Sequence, residues 1–325
     1  MIRKLALLAA IGVVLAPLPL LLPPAQEAVA VRALLFAMMA VAWNLMSGFG
    51  GLFSFGHAAY FGLGAYTTAL LTVRLGVSPW IGLLAGTVMA ALFGMVTGYL
   101  AVRYRLKGAY FALATFAFAE MLRLAALNST LVGGAVGLTL PVTGEQGWLT
   151  LRFDVGDPAY FWLALLLTLA SMATVIVLLN GKAGLNLLAV REDETAAAAA
   201  GVDVIRHKLM AIGVSAALTS LAGGFYAVYY LFVGPDLAFG PSMSIQAILP
   251  AVIGGVGTIW GPLIGAAVLA PLSDVAATLV RTPPEFLAFL QGRSGLDVVL
   301  YALLLITVVL ALPRGLYGTL AGRRR

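Results

Sequence analysis

Long apolar stretches carrying at most one charged residue recur along almost the whole of this 325-residue chain. They run from Leu5 to Leu22, Val29 to Met46, Leu52 to Val73, Trp80 to Val102, Tyr160 to Leu179, Leu209 to Val233 and Leu296 to Leu312. Each is long enough to cross the hydrocarbon of a bilayer as a helix, the only open-ended structure that satisfies all its backbone polar groups internally. Composition agrees: 62% of residues are apolar and 10% charged, where a soluble domain carries roughly 45–50% and 25%. A crossing takes about 20 apolar residues, so the chain holds enough for roughly ten. A soluble enzyme, a disordered chain and a disulfide scaffold are all excluded, the last because there is no cysteine.

Two further stretches complete the count. Ala109 to Leu127 has the length of a span but carries Glu120 and Arg123. Ile245 to Val280 is too long for one crossing and is broken by Gly254, Gly255, Gly257, Gly261 and Pro262, so it reads as two short crossings or a re-entrant pair. With ten spans, thirteen Lys and Arg fall on one side: Arg3, Lys4, Arg103, Arg105, Lys107, Lys182, Arg191, Arg206, Lys208, Arg314 and Arg323 to Arg325. The other side receives Arg74, Arg152, Arg281 and Arg293, which makes the first side cytoplasmic and puts both termini there. In a membrane chain the net charge of +6 is this topology signal and no mark of nucleic acid. The first segment is expected to be a retained span, although Arg3 and Lys4 ahead of an apolar stretch also fit a signal peptide. The fold expected is an all-α polytopic membrane protein in one transmembrane domain (1–325), with some spans short or broken by glycine, an external loop at 128–158 and a cytoplasmic loop at 181–208.

The cytoplasmic loop reads GKAGLNLLAVREDETAAAAAGVDVIRHK. Acids in a first turn, a run of alanines and a closing Gly201 predict a short, stiff helix, with Asp193 able to cap it and Asp203 able to cap the next. Its charges are equally those of a wet surface loop. A rigid small-residue helix is also what a membrane part needs to receive a push from a cytosolic motor, because it fits a groove closely at little side-chain entropy. The chain has no phosphate-binding G-x-x-x-x-G-K-[ST] loop, so any ATP must be bound by a partner.

Glycines 48, 50, 51, 56, 62 and 64, with Ser47, Ser54, His57 and Tyr60, interrupt the third run, and glycines 254, 255, 257, 261 and 265 interrupt the other half. Individual glycines serve helix packing; paired interruptions in two halves point to a transport pathway. Ser54, His57, Tyr60, Glu120, Gly254 and Gly255 are the candidates to line it. His57 either donates to a nearby carbonyl or takes part in passage, and no metal site can form from His57 and His207 alone. Glu120 and Arg123 share a helix face. At a span centre two charges would cost roughly 5–7 kcal/mol against about 2–4 returned by their apolar neighbours, so the pair faces protein or water. Asp274 is a second intramembrane carboxylate. Asn128-Ser129-Thr130 matches a glycosylation acceptor by chance in a bacterial-type protein.

The run Gly184 to Gly201 resembles the EAA coupling loop of ABC importer permeases, in the version found in branched-chain amino acid permeases of the LivM type. GFGGLFSFGHAAYFGLGAY (Gly48 to Tyr66), KGAYFALATFAFAEMLR (Lys107 to Arg123) and GGVGTIWGPLIGA (Gly254 to Ala266) resemble the same family. The resemblance implies a non-enzymatic subunit of the bacterial inner membrane that moves a hydrophobic amino acid by alternating access. Its implied partners are cytosolic ATPase subunits, a related second permease subunit and an external solute-binding protein, beside membrane lipid. It implies contact with the ATPase through Arg191, Glu192, Asp193, Glu194, Ala197, Ala198 and Gly201. Urea and short amides are alternative solutes within that family. An ion-coupled secondary transporter is the rival class and would rely on Glu120 and Asp274; a membrane enzyme lacks any catalytic constellation.

Overall fold

The computed structural model describes residues 1–141, 146–154, 156–281 and 315–322, with 302 and 307. The expected span Leu296 to Leu312, Arg293, Arg314 and the Arg323 to Arg325 cluster lie outside the described residues. What is described is almost wholly helical: α1 (Ile2–Leu15), α2 (Leu18–Leu21), α3 (Pro24–Trp43), α4 (His57–Leu75), α5 (Pro79–Arg103), α6 (Ala109–Asn128), α7 (Ala159–Asn180), α8 (Lys182–Glu192), α9 (Glu194–Ala199), α10 (Val204–Tyr230), α11 (Pro235–Phe239), α12 (Pro241–Gly254), α13 (Gly261–Arg281) and α14 (Gly315–Gly322). Among the described residues seven stretches are long and apolar enough to cross a membrane, including Pro24–Phe49, Ala159–Asn180 and Val204–Tyr230. The chain is an all-α polytopic membrane protein.

Two expectations need adjustment and one holds. The run Leu52 to Val73 is not helical from its start, because α4 begins only at His57. The run Leu5 to Leu22 is divided at Ala16 and Pro17 into α1 and α2, as a proline lacking its N–H would favour. The stretch Ile245 to Val280 does split as expected, with α12 ending at Gly254 and α13 starting at Gly261.

Two groups of helices make the core. In the first, α4, α5 and α10 pack on one another; in the second, α3 packs on α7, α12 and α13; α3 and α10 join the groups. Lipid supplies no hydrophobic drive between helices, so close approach of small residues has to hold them. Gly64 of α4, Gly86 of α5 and Ser220 of α10 converge: a Cβ on Gly86 would lie 3.1 Å from the Gly64 Cα and 3.3 Å from the Ser220 hydroxyl. At Gly223 of α10 a Cβ would run into the carbonyl of Phe61 on α4.

The elements also define two ends. At one, β1 (Leu138–Thr139) pairs antiparallel with β2 (Phe232–Val233), the Ser78 hydroxyl donates to the Leu149 carbonyl and the Trp80 indole to the Trp148 carbonyl, so the 128–158 connection is folded down onto the bundle. At the other end Lys107, Glu194 and Lys208 meet, bringing together the α5–α6 connection, α9 and the start of α10.

Overpacking a tight interface typically costs about 1–3 kcal/mol. Gly223→Val is therefore expected to lower the thermal midpoint of the detergent-solubilised chain, and Gly223→Ala to lower it less. Midpoints equal to wild type in both would show that the α4–α10 seam is not tight.

Candidate functional site

The two glycine-interrupted stretches, distant in sequence, meet in space. The helix of α3 loosens into a π-helical turn, Asn44–Phe49, of the kind often found at functional sites, and residues 50–56 then run unwound to α4. Residues 255–260 form the second break, between α12 and α13. The buried Asn44 joins them: its Nδ2 donates to the Thr258 carbonyl at 2.8 Å and its Oδ1 accepts from the Gly257 amide at 2.7 Å. Gly257 holds a left-handed φ of +75° there, a backbone setting that glycine reaches without strain. A Cβ on Gly48 would meet the Asn44 side chain and lie 2.7 Å from the Gly257 nitrogen.

Side chains satisfy the rest of the unwound backbone. Ser47 donates to the Leu52 carbonyl at 3.0 Å, Trp43 donates to the Ser54 carbonyl at 2.8 Å, and the Gly56 amide donates to the Ser54 hydroxyl at 3.1 Å. Thr115 of α6 accepts from the Phe55 amide, and Ser244 of α12 accepts from the Ala58 amide at the start of α4. Ser54 is thus an organiser of the break. His57 is fully buried, with Nε2 2.9 Å from the Ser215 hydroxyl, which itself donates to the Ala42 carbonyl at 2.7 Å. The hydroxyl's one proton is spent on that carbonyl, so His57 Nε2 carries the hydrogen and donates. The partner of His57 is thus a hydroxyl where a carbonyl was expected. Tyr60 packs edge-on to His57, with ring centroids 5.6 Å apart.

The 181–208 loop is two helices in place of one. The expected stiff helix is α9, only Glu194–Ala199, while Arg191 and Glu192 end α8. Asp193 caps α9 by accepting from the Thr195 and Ala196 amides, and Asp203 caps α10 by accepting from the Arg206 amide. Those amides hold the Asp193 carboxyl below its ordinary range. Ala197 is buried against the chain itself, whereas Ala196, Ala198, Ala199 and Ala200 are exposed; a partner can touch the latter but not Ala197. Gly201 closes the element at φ +84°.

Two contacts connect this element to the bundle. Glu194 binds Lys208 at 2.7 Å and Lys107 at 3.5 Å. Partial burial pushes its pKa up, but the two lysines outweigh that and hold it below the ordinary value. Arg191 lies across both breaks: its Cγ is 3.1 Å from where a Cβ on Gly51 would sit, and its Nη1 3.3 Å from where one on Gly257 would. Arg191 therefore touches both breaks while remaining exposed.

The remaining candidates stand apart. Gly254 and Gly255 belong to the second break, but Glu120 does not approach either one. It forms the expected pair with Arg123 on α6, Nε to Oε2 at 2.9 Å, and Arg123 also binds Asp236 of α11. Asp274 of α13 pairs with Arg32 of α3. Among the described residues no three His, Cys, Asp or Glu side chains group to hold a metal. Sequence reasoning missed Asn44, Lys107 and Lys208; the available signal for Asn44 was an amide at the heart of an apolar run.

Unwound segments locked together inside a helical bundle, with a short capped helix wired to them, define a polytopic permease-like membrane protein. Residues 26–312 match the family described as branched-chain amino acid transport system / permease component, and the chain belongs to that family of transport permeases, which are not enzymes. It is 31% identical over 286 residues to the high-affinity branched-chain amino acid transport system permease protein LivM of Escherichia coli (strain K12), covering 81% of this chain and 65% of that relative. Against LivM of Salmonella typhimurium the identity is 31% over 313 residues, covering 89% of this chain and 71% of the relative. Against LivH of Salmonella typhimurium it is 24% over 296 residues, covering 87% and 91%. No solved structure matches the chain.

Asn44→Ala strands the Gly257 amide and the Thr258 carbonyl. Each unsatisfied buried group costs about 1–3 kcal/mol, so a clear fall in thermal midpoint and faster hydrogen exchange at 255–258 are expected; unchanged exchange there would contradict the bridge. Because the Glu194 pKa is lowered on folding, its clamp contributes stability above the unfolded carboxylate's pKa, and this is lost as pH falls through the folded value. Glu194→Gln is expected to remove that acid-side loss, read as protease sensitivity of the 181–208 loop between pH 6 and pH 3.

Proposed function

We propose that this chain is the membrane-spanning subunit of an ATP-driven importer that carries branched-chain or other hydrophobic amino acids inward by alternating access. Cytosolic ATPase subunits bind the ATP and press on the exposed alanine face of α9, Ala196 and Ala198 to Ala200. A solute-binding protein delivers the amino acid outside, and a related permease subunit stands beside this one. The charge distribution supports an inner-membrane placement with ten spans, both termini and the 181–208 loop in the cytoplasm and the 128–158 connection outside.

The observation that carries this reading is the wiring of α9. Through Glu194 a push on α9 reaches α10 and the α5–α6 connection, and through Arg191 at the end of the preceding helix it reaches both glycine breaks. Alternating access is largely a rigid-body rocking of one part of a bundle against another around such unwound segments. Seven residues take part: Arg191 and Glu194 transmit, Asp193 and Gly201 define the ends of α9, Ala198 offers contact, and Glu192 and Ala197 flank them. Ser54, His57, Tyr60, Gly254 and Gly255 set the geometry of the pathway walls; Glu120 acts as the counter-charge of Arg123. The ion-coupled alternative would rely on Glu120 and Asp274, and Glu120 is held in a close pair with Arg123.

Membrane vesicles holding the assembled importer are expected to take up leucine only while ATP is supplied; uptake persisting on an ion gradient alone would refute the reading. Proline at position 198 cannot donate within α9 and clashes with its preceding turn. Ala198→Pro is expected to reduce leucine uptake at least tenfold, with ATP hydrolysis retained and the membrane level of the chain unchanged. Normal uptake by this variant would remove α9 from the coupling path.

A further inference from the structure

We propose that Arg32 and Asp274 form a site for a zwitterionic amino acid, whose aliphatic side chain enters the apolar cavity beside them. The proposal rests on the import reading above and adds a place where solute is held. Arg32 lies eight residues beyond Pro24, about 12 Å along α3 at 1.5 Å per residue, and so within the span. It meets Asp274 of α13 through one contact, Nη2 to Oδ1 at 3.4 Å. Charge-assisted hydrogen bonds close to about 2.7–2.9 Å, so this pair is stretched. The Arg32 Nε is buried with no hydrogen-bond partner. Arg123 is different, using Nε, Nη1 and Nη2 on two carboxylates.

An arginine so incompletely satisfied is costly inside a membrane and marks a place built to receive something. The pair is also open, with side chains 33% and 49% accessible. Asp274, with Arg32 behind it rather than in the wall, lines a cavity of about 660 Å³ whose other walls are Gln26 and apolar residues such as Ala33, Leu34, Ala37 and Leu263. That volume lies within the range of small-molecule sites, which combine apolar walls with a few placed polar groups. An amino acid carries a carboxylate and an ammonium on one carbon. Placed between the two residues, its carboxylate accepts from the terminal Nη groups of Arg32 and its ammonium donates to Asp274. Each protein charge keeps a counter-charge, no net charge enters the membrane, and the side chain has an apolar space beside it. Urea and short amides carry neither charge and gain nothing from the pair, so the site selects amino acids.

The test uses labelled leucine uptake by the assembled importer, with the membrane level of each variant measured. Arg32→Gln and Asp274→Asn are each expected to lower initial uptake at least tenfold at equal membrane level. The exchange Arg32→Asp with Asp274→Arg restores an ion pair and with it folding, but not uptake, because a reversed zwitterion turns its side chain away from the cavity. Leucine is also expected to raise the thermal midpoint of the purified wild-type chain and to leave that of Asp274→Asn unmoved. Uptake restored by the exchange, or near wild type in the single variants, overturns the site and leaves a structural pair. A phospholipid such as phosphatidylethanolamine carries the same two charges. Its retention by wild type in native mass spectrometry and loss from Asp274→Asn, with no leucine-induced shift, overturns the amino-acid site in favour of a lipid one. Failure of the wild-type importer to take up any aliphatic amino acid sinks the import reading itself, and is seen without either variant.

Discussion

Backbone groups inside hydrocarbon have no water to turn to, and each one left unpaired costs several kcal/mol. This chain nonetheless unwinds at 50–56 and at 255–260, and everything else in its interior is arranged around that fact. Asn44 is the central device, because an amide both donates and accepts: it satisfies an amide of the second break and a carbonyl beside it with one side chain. Ser47, Ser54, Trp43, Thr115 and Ser244 complete the pairing. The glycines matter for a related reason. Gly48, Gly51 and Gly257 leave the room in which Asn44 and Arg191 lie against backbone.

The charges fall into sets with different physics. Arg123 with Glu120 and Asp236 is closed, each group answering another, and serves neutralisation. Glu194 with Lys107 and Lys208 is at the end of the bundle, partly wet, and joins a short surface helix to two longer segments. Arg32 with Asp274 is open and stretched, next to an apolar cavity. On the proposed readings, neutralisation, mechanical linkage and solute contact fall in separate places.

Much of the fold was legible in the residues. Spans follow from hydropathy because bilayer thickness sets their length, and the break near Gly254 to Gly261 was visible in the glycines themselves. The caps Asp193 and Asp203 were legible because capping depends on neighbours two or three positions away. The true start of α9 was not: Arg191 and Glu192 read as its first turn, but they end α8, and Asp193 stands between the two helices. The late start of α4 was hidden for a similar reason, since Leu52, Phe53 and Phe55 are as apolar as any helix while the hydrogen bonds that hold them unwound come from α3 and α6. The candidate site was half visible, its glycines apparent and Asn44 and the two lysines overlooked.

The amino-acid sequence by itself determined that the chain lives in a membrane, how its spans are ordered, and where helices are capped or interrupted, since these depend on local composition and on the thickness of the surrounding medium. Only the tertiary structure decided that the two interruptions lock together, that Arg191 lies against both, and that Asp274 meets Arg32. Such pairings join residues as far as 242 positions apart, and nothing in a local pattern encodes which distant group will satisfy a buried donor or charge; packing alone settles it.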